Sequence, residues 1–222
     1  MKTAISRLWL HAITLVALLH AGNALAGPPL LCDRFDTAGA PTLEWGGSRW
    51  NQPRADFDLA TLAERTEALL TPATPVIVRM ETLRRAAIYA ARDGRALRAL
   101  DARLQAGVEA TRDTDDHALA LFDAGYFHET LKDIQRLQGY DMPGIGRIDA
   151  AALRRQLARG DGQMRIAQAL SLRPQDASLR FAAALVAKAN ARGQDAEAYA
   201  AQARAGINGD ALLARNIALV SR

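Results

Sequence analysis

Carboxylate and imidazole side chains crowd into one stretch of this chain, and these residue types bind metals and transfer protons. The cluster consists of Asp113, Asp115, Asp116, His117, Asp123, His128 and Glu129. A metal site needs at least three ligands of this kind around one point. On a continuous helix, His117 and His128 would be about 16 Å apart. They could approach each other only if the chain turned at Gly125.

Two interpretations of this cluster remain open. In the first, the chain is a small-molecule or metal-dependent hydrolytic protein that uses Asp116 and His117 together with His128 and Glu129. In the second, the aspartates cap a helix and complement its dipole, while the histidines are solvated. We favour the second, because the sequence has neither a phosphate-binding glycine loop with its lysine nor a serine in a nucleophile elbow. No catalytic residue, metal ion or cofactor is therefore predicted.

A second candidate is the most densely charged face of a predicted helix, which contains three arginines within seven residues together with Glu81. Either this face is solvated, or its arginines line a groove and bind a carboxylate or phosphate of a partner. In the second case the groove would continue along a later helix. The predicted partner-binding residues are Arg79, Arg84, Arg85, Tyr89, Ser178 and Lys188.

The composition indicates that helices position these residues. Half of the 222 residues are apolar but only 5% are aromatic, and a β-sandwich or barrel needs more aromatic and β-branched residues. Charges of both signs are interspersed with the apolar residues, which excludes a disordered chain. Acids interrupt the arginines throughout, so no basic stripe is available for a phosphate backbone. We therefore predict an all-α protein that does not bind nucleic acid.

The first 26 residues have the pattern of a secretory signal. Lys2 and Arg7 come first, an apolar stretch covers residues 8–19, and Ala24 and Ala26 are the small residues that precede a cleavage site. The apolar stretch is too short to span a bilayer comfortably. We predict cleavage after Ala26, a periplasmic or secreted location, and no integral membrane segment in the mature chain.

Cys32 is the only cysteine, so no disulfide can form within the chain. Its thiol is either a small buried group near the mature N-terminus or, in an oxidising compartment, the site of an intermolecular disulfide. We favour burial and keep the intermolecular disulfide as the alternative.

The mature chain divides into two parts. Residues 27–57 are rich in proline and glycine, which disfavours regular helix, yet they include Trp45 and Trp50. We predict an extended arm whose tryptophans pack on a helical body. From residue 58 to residue 222 the apolar residues recur at helical spacing, which predicts a succession of helices.

An internal repeat at an offset of 34 residues is the strongest pattern in the sequence. The identical pairs are Asp176/Asp210, Ala177/Ala211, Leu179/Leu213, Ala184/Ala218, Leu185/Leu219 and Val186/Val220. Residues 169–174 end in proline, and Gly193 and Ala196 are small residues at a predicted turn between helices. On these features the chain resembles the tetratricopeptide repeat family, most clearly over residues 161–222. The resemblance implies a right-handed solenoid of helical hairpins whose concave face binds an extended peptide or another protein.

The sequence thus predicts an exported, non-enzymatic scaffold. A signal peptide covers residues 1–26, an extended arm covers 27–57, and a tetratricopeptide-like domain covers 58–222. The helical-repeat groove would bind a protein or peptide partner, which we expect in the cell envelope. The last predicted helix, over residues 210–220, is apolar enough to pack on a second chain, so self-association is a further expectation.

Overall fold

A computed structural model describes residues 28–112, 116–137 and 144–221. The predicted signal peptide and its cleavage site lie outside these residues. Within them the regular secondary structure is entirely helical, with no β-strand, which confirms the all-α prediction. The helices are α1 (Pro29–Cys32), α2 (Leu62–Leu69), α3 (Val76–Ala90), α4 (Gly94–Ala110), α5 (His117–Leu137), α6 (Ala150–Leu157), α7 (Gly162–Leu172), α8 (Ala177–Ala189), α9 (Gly193–Ala205) and α10 (Ala211–Asn216).

Aspartates set the starts of half of these helices. Each accepts hydrogen bonds with its side chain from backbone N–H groups of the first turn, which otherwise lack partners. The capping residues are Asp93, Asp149, Asp161, Asp176 and Asp210. The sequence Asp93-Gly94 is typical of a helix end with glycine in the left-handed region, but Gly94 does not have a positive φ. Asp93 instead begins α4 by accepting hydrogen bonds from the N–H groups of Arg95 and Ala96.

The longest described helix, α5, runs without a break through Gly125. This glycine does not mark a turn; it permits a close crossing with α7. A Cβ atom at Gly125 would lie 2.8 Å from the carbonyl oxygen of Gly162, and a Cβ at Gly162 would lie 2.6 Å from the carbonyl oxygen of Gly125. The two glycines therefore let the backbones of α5 and α7 touch.

Helix α5 lies at the centre of the molecule and contacts α1, α3, α4, α6, α7 and α8. Helices α3 and α8, which are far apart in the sequence, also contact each other. A stack of hairpins in which each unit touches only its neighbours would lack such contacts. The packing is accordingly that of a helical body with a central helix.

Residues 28–57 contain one short helix and are otherwise irregular. We call this segment the arm. Its apolar side chains are buried against the helices: Leu30, Leu31, Phe35, Leu43 and Phe57. The ring of the half-buried Trp45 meets the ring of Tyr89 edge to face, with the centroids 5.6 Å apart. The arm is thereby part of the hydrophobic core.

Two of the residue pairs at the 34-residue offset have similar environments. Asp176 and Asp210 each cap a helix by accepting a hydrogen bond from the N–H three residues on, and Leu179 and Leu213 are both fully buried. The later pairs differ, because α10 ends at Asn216 and the chain continues as a 3₁₀ turn, whereas α8 continues to Ala189.

No helix in the described part of the chain is both long enough and apolar enough to cross a membrane.

Candidate functional site

The charged face of α3 lies in the interior of the protein, with Glu81 at its centre. The Glu81 carboxylate is fully buried. Its Oε1 accepts hydrogen bonds from Arg84 Nη2 and Arg85 Nε, each at 2.7 Å. Its Oε2 accepts from Arg84 Nε at 2.8 Å and from the backbone N–H of Phe35 at 3.2 Å. One carboxylate thus joins two arginines of α3 to the arm.

Arg84 and Arg85 determine the ionisation of Glu81. Burial alone would raise the pKa of Glu81, but the hydrogen bonds and positive charges of Arg84 and Arg85 outweigh it and lower that pKa below its usual value. Glu81 is therefore ionised at neutral pH, and the buried guanidinium groups have a counter-charge.

The prediction that Arg84, Arg85 and Tyr89 line a groove for a partner needs correction, because the arm occupies their hydrogen-bonding groups. Arg84 Nη1 donates to the carbonyl oxygens of Leu31 and Trp50, both at 3.3 Å. The other two residues bond to the arm in the same way, Arg85 Nη1 to Leu43 O at 2.5 Å and the Tyr89 hydroxyl to Glu44 O at 2.8 Å. The two arginines do bind carboxylate and carbonyl oxygens, as predicted for a partner, but these acceptors belong to the same chain.

Arg79, another of the predicted groove residues, is also buried, and it forms an ion pair with a distant carboxylate. Its Nη1 donates to Asp123 Oδ2 at 2.5 Å, which links α3 to α5. Its Nε and Nη2 donate to the carbonyl oxygens of Thr74 and Thr71. The alternation of acids and arginines could not reveal this pair, because its members are 44 residues apart.

The two later groove candidates are likewise not on an open surface. Ser178 is buried, and its hydroxyl donates to Asp210 Oδ2 at 2.6 Å, which links the start of α8 to the cap of α10. Lys188 is half-buried in the last turn of α8.

The histidines of the acidic cluster do not converge. His117 and His128 lie on the continuous helix α5, about 16 Å apart along its axis. Glu129 is buried and engaged, with Lys132 Nζ at 2.7 Å and Asn190 Nδ2 at 2.8 Å from its two oxygens. Asp113 and Asp115 lie outside the described residues. In the part that the structure describes, no group of three or more His, Cys, Asp or Glu side chains is arranged to hold a metal ion.

Cys32 is half-buried at the end of α1. Burial and the nearby carboxylate of Asp133 raise the pKa of its thiol to about 11. The thiol is therefore protonated at neutral pH, a form that attacks disulfides slowly.

A cleft with a volume of about 490 Å³ lies between α4, α5 and the segment that joins α6 to α7. A neighbouring cleft of about 380 Å³ shares part of its lining. We call the two together the arginine cleft. Four arginines contribute to its lining: Arg98, Arg155, Arg159 and Arg165. Within the described ranges, no ion pair or side-chain hydrogen bond engages these four.

The remaining polar groups leave the arginine cleft positively charged. Asp101 and Asp161 are the two carboxylates in its lining. Asp161 is already used as the cap of α7, and Asp101 accepts a hydrogen bond from Gln105 Nε2 at 3.2 Å. Four guanidinium groups against two carboxylates favour an anionic ligand, and a guanidinium group can donate two parallel hydrogen bonds to a carboxylate or phosphate.

His128 forms part of the wall of this cleft. It is 8% exposed, and its Nε2 is buried with no hydrogen-bond partner among the described residues. Gly160 lies beside the ring, since a Cβ there would be 3.8 Å from both Cε1 and Nδ1. Burial lowers the pKa of His128, so the ring is neutral at pH 7 and adds no positive charge to the cleft.

Sequence reasoning missed the arginine cleft because its residues come from three separate segments. One local signal does point to it. Arg155 and Arg159 are four residues apart, and no acidic residue lies three or four positions from either. Neither of these two positive charges therefore has an acidic partner at helical spacing in the sequence.

No protein-family model matches the chain, and no curated protein or solved structure is detectably similar to it.

Proposed function

We propose that this chain is an exported, non-enzymatic binding protein that holds an acidic segment of a protein or peptide partner in the arginine cleft. The observation that carries the proposal is the set of four arginines that line one cleft without ion pairs to described residues. By contrast, the arginines of α3 all have a carboxylate partner. Exposed guanidinium groups on one concave surface are suited to bind the carboxylates of another molecule.

The extent of the cleft favours an extended segment over a single small anion. The two volumes share Arg98, Gln156 and Arg159, so the surface continues from α4 along α6 to the start of α7. A partner with several Asp or Glu side chains could contact more than one arginine at a time. Such multiple contacts raise affinity without any single tight site.

The helical-repeat resemblance supports the same class of function. The resemblance rests on the 34-residue offset in the sequence of 161–222, in which Asp176 and Asp210 both cap helices and Leu179 and Leu213 are both buried. The resemblance implies protein or peptide binding. The cleft proposed here lies at the start of this region and earlier, not on the predicted face that contains Ser178 and Lys188.

The location in the periplasm or outside the cell rests on the signal-peptide pattern of residues 1–26. The partner is accordingly expected in the cell envelope. The tagged protein isolated from that fraction should begin at Gly27, which N-terminal sequencing measures on the same sample as the experiment below.

The experiment places a photo-crosslinking amino acid at Ala102, an exposed residue in the lining of the cleft. The matched control position is Ala201, which is exposed on α9 and does not line a described cleft. We expect an adduct from position 102 and not from position 201. Mass spectrometry should map the crosslink to a segment of the partner that is rich in Asp and Glu.

Charge reversal then tests the mechanism. The double variant Arg98→Glu/Arg159→Glu should lose the adduct. The control Arg95→Glu/Arg154→Glu makes the same change in net charge with two exposed arginines that do not line the cleft, and it should keep the adduct. Absence of any adduct at position 102, or an adduct that survives reversal of Arg98 and Arg159, would refute the proposal.

The hydrolytic alternative has no comparable support. It needs Asp116 and His117 to act together with His128 and Glu129, and the two pairs lie at separate places along α5.

A further inference from the structure

A second, smaller cleft lies between α2, α4 and α5 and is separate from the arginine cleft. Its volume is about 190 Å³. Its walls are largely apolar and include Leu100, Leu104 and Leu119. An apolar cavity of roughly 150 Å³ is large enough to bind benzene, so this cleft has room for one small ring.

The buried ion pair Arg79–Asp123 also contributes to the lining of this cleft. Asp123 is 5% exposed. Its Oδ2 accepts the hydrogen bond from Arg79, but its Oδ1 is buried and has no hydrogen-bond partner among the described residues. Arg79 cannot supply a further bond readily, since it also donates to the carbonyl oxygens of Thr74 and Thr71. The carboxylate therefore lacks one donor, and leaving a buried acceptor unpaired is unfavourable.

The charges around the cleft favour a cation as that donor. The charged groups of the lining are Glu67 from α2, Arg79 from α3, Arg103 from α4, Asp116 at the start of α5, and Asp123 within α5. Glu67 and Arg103 form an ion pair with each other at the exposed rim, and Arg79 pairs with Asp123. When Asp123 is ionised, three carboxylates against two guanidinium groups leave one negative charge.

We propose that this cleft binds a small apolar molecule that contains one ammonium group. The ammonium donates a hydrogen bond to Asp123 Oδ1, and the apolar body of the ligand packs between Leu100, Leu104 and Leu119. No covalent step is involved. The complex would satisfy the unpaired oxygen and cover apolar surface at the same time.

The ionisation of Asp123 makes the binding dependent on pH. Burial raises the pKa of Asp123 to about 7, against the opposing effect of the Arg79 charge and hydrogen bond. An ammonium group binds the ionised carboxylate, so the ligand has to displace a proton from the fraction of molecules that are protonated. Affinity should therefore increase from pH 6 to pH 8, and binding near pH 7 should release protons.

Calorimetric titration with benzylamine and benzyl alcohol tests the proposal, because the two probes differ mainly in the ammonium group. We expect benzylamine to bind the wild-type protein at least tenfold more tightly than benzyl alcohol at pH 8. Asp123→Asn should abolish that preference and the pH dependence. If the alcohol binds equally well, or if neither compound binds, the proposal is overturned.

A second variant keeps the test decisive if Asp123→Asn does not fold. Gly107 lines the cleft, and a Cβ atom there would meet no other atom within 4 Å. Gly107→Leu should fill the cleft and remove benzylamine binding, without a change at the ion pair. Gly193→Leu is the matched control, since a Cβ there also meets nothing within 4 Å and the residue does not line this cleft. Benzylamine binding that persists in Gly107→Leu would place the ligand elsewhere and overturn the proposal.

Discussion

At the scale of single residues, Glu81 is the clearest example of a buried charge that holds separate segments together. Glu81→Gln keeps the shape of the side chain but leaves Arg84 and Arg85 without a counter-charge. Removing one partner of a buried ion pair costs about 3–5 kcal/mol, and we expect a loss of that order in the free energy of unfolding. Urea denaturation followed by circular dichroism at pH 7 measures it.

The control for Glu81 is Glu109→Gln, which breaks an exposed ion pair with Arg112. Exposed pairs contribute about 0–1 kcal/mol, so this variant should unfold close to the wild type. Because the folded-state pKa of Glu81 is lowered, its stabilisation is present above the pKa of the unfolded chain and is lost as the pH falls through the folded-state pKa. Equal unfolding free energies for the Glu81 and Glu109 variants would mean that the buried carboxylate is not essential.

At the scale of helices, we predict that substitution by alanine has opposite effects on stability at two glycines inside helices. Alanine is favoured over glycine inside a helix by about 1 kcal/mol. At Gly107 a Cβ meets nothing, so Gly107→Ala should raise the unfolding free energy by roughly that amount. At Gly125 a Cβ would lie 2.8 Å from Gly162 O and 3.0 Å from Ile166 Cγ1. Overpacking of this kind typically costs about 1–3 kcal/mol, so Gly125→Ala should lower stability.

The measurement is again chemical denaturation, made on both variants side by side. A Gly125→Ala variant that is as stable as Gly107→Ala would show that α5 and α7 separate easily. The sequence alone left Gly125 as either a hinge or a weak point in one helix, since glycine is compatible with both. The structure shows one continuous helix, in which Gly125 contacts the backbone of Gly162, a residue 37 positions later in the sequence.

At the scale of the whole molecule, local chemistry was predictable and long-range assembly was not. The cap at Asp149 could be read from the sequence, because capping involves only the next few residues. The burial of Arg84 could not, since its partners include carbonyl oxygens of the arm at Leu31 and Trp50. The arginine cleft could not be predicted from the sequence for the same reason, because its arginines lie in separate segments that only the tertiary fold brings together.

The arm connects distant parts of the molecule, and this leads to a prediction about folding. The N–H of Leu30 donates to Asp133 in α5, Phe35 packs edge to face on Phe181 in α8, and Asp36 exchanges backbone hydrogen bonds with the Asn216 side chain in α10. The arm also buries five large apolar side chains. At roughly 1.5–3 kcal/mol each, these match the ~5–15 kcal/mol by which a typical domain is stable.

A chain that begins at Asp58 should therefore lose its cooperative urea transition and bind the hydrophobic dye ANS, while it keeps much of its helical circular dichroism signal. The control chain begins at Pro28 and should retain a cooperative urea transition. The loss should be severe because Arg84 and Arg85 would lose the carbonyl acceptors of Leu31 and Leu43 together with the cover over Glu81. The prediction is wrong if the shorter chain unfolds cooperatively with an unfolding free energy within about 1 kcal/mol of the control. The helices would then be stable without the arm.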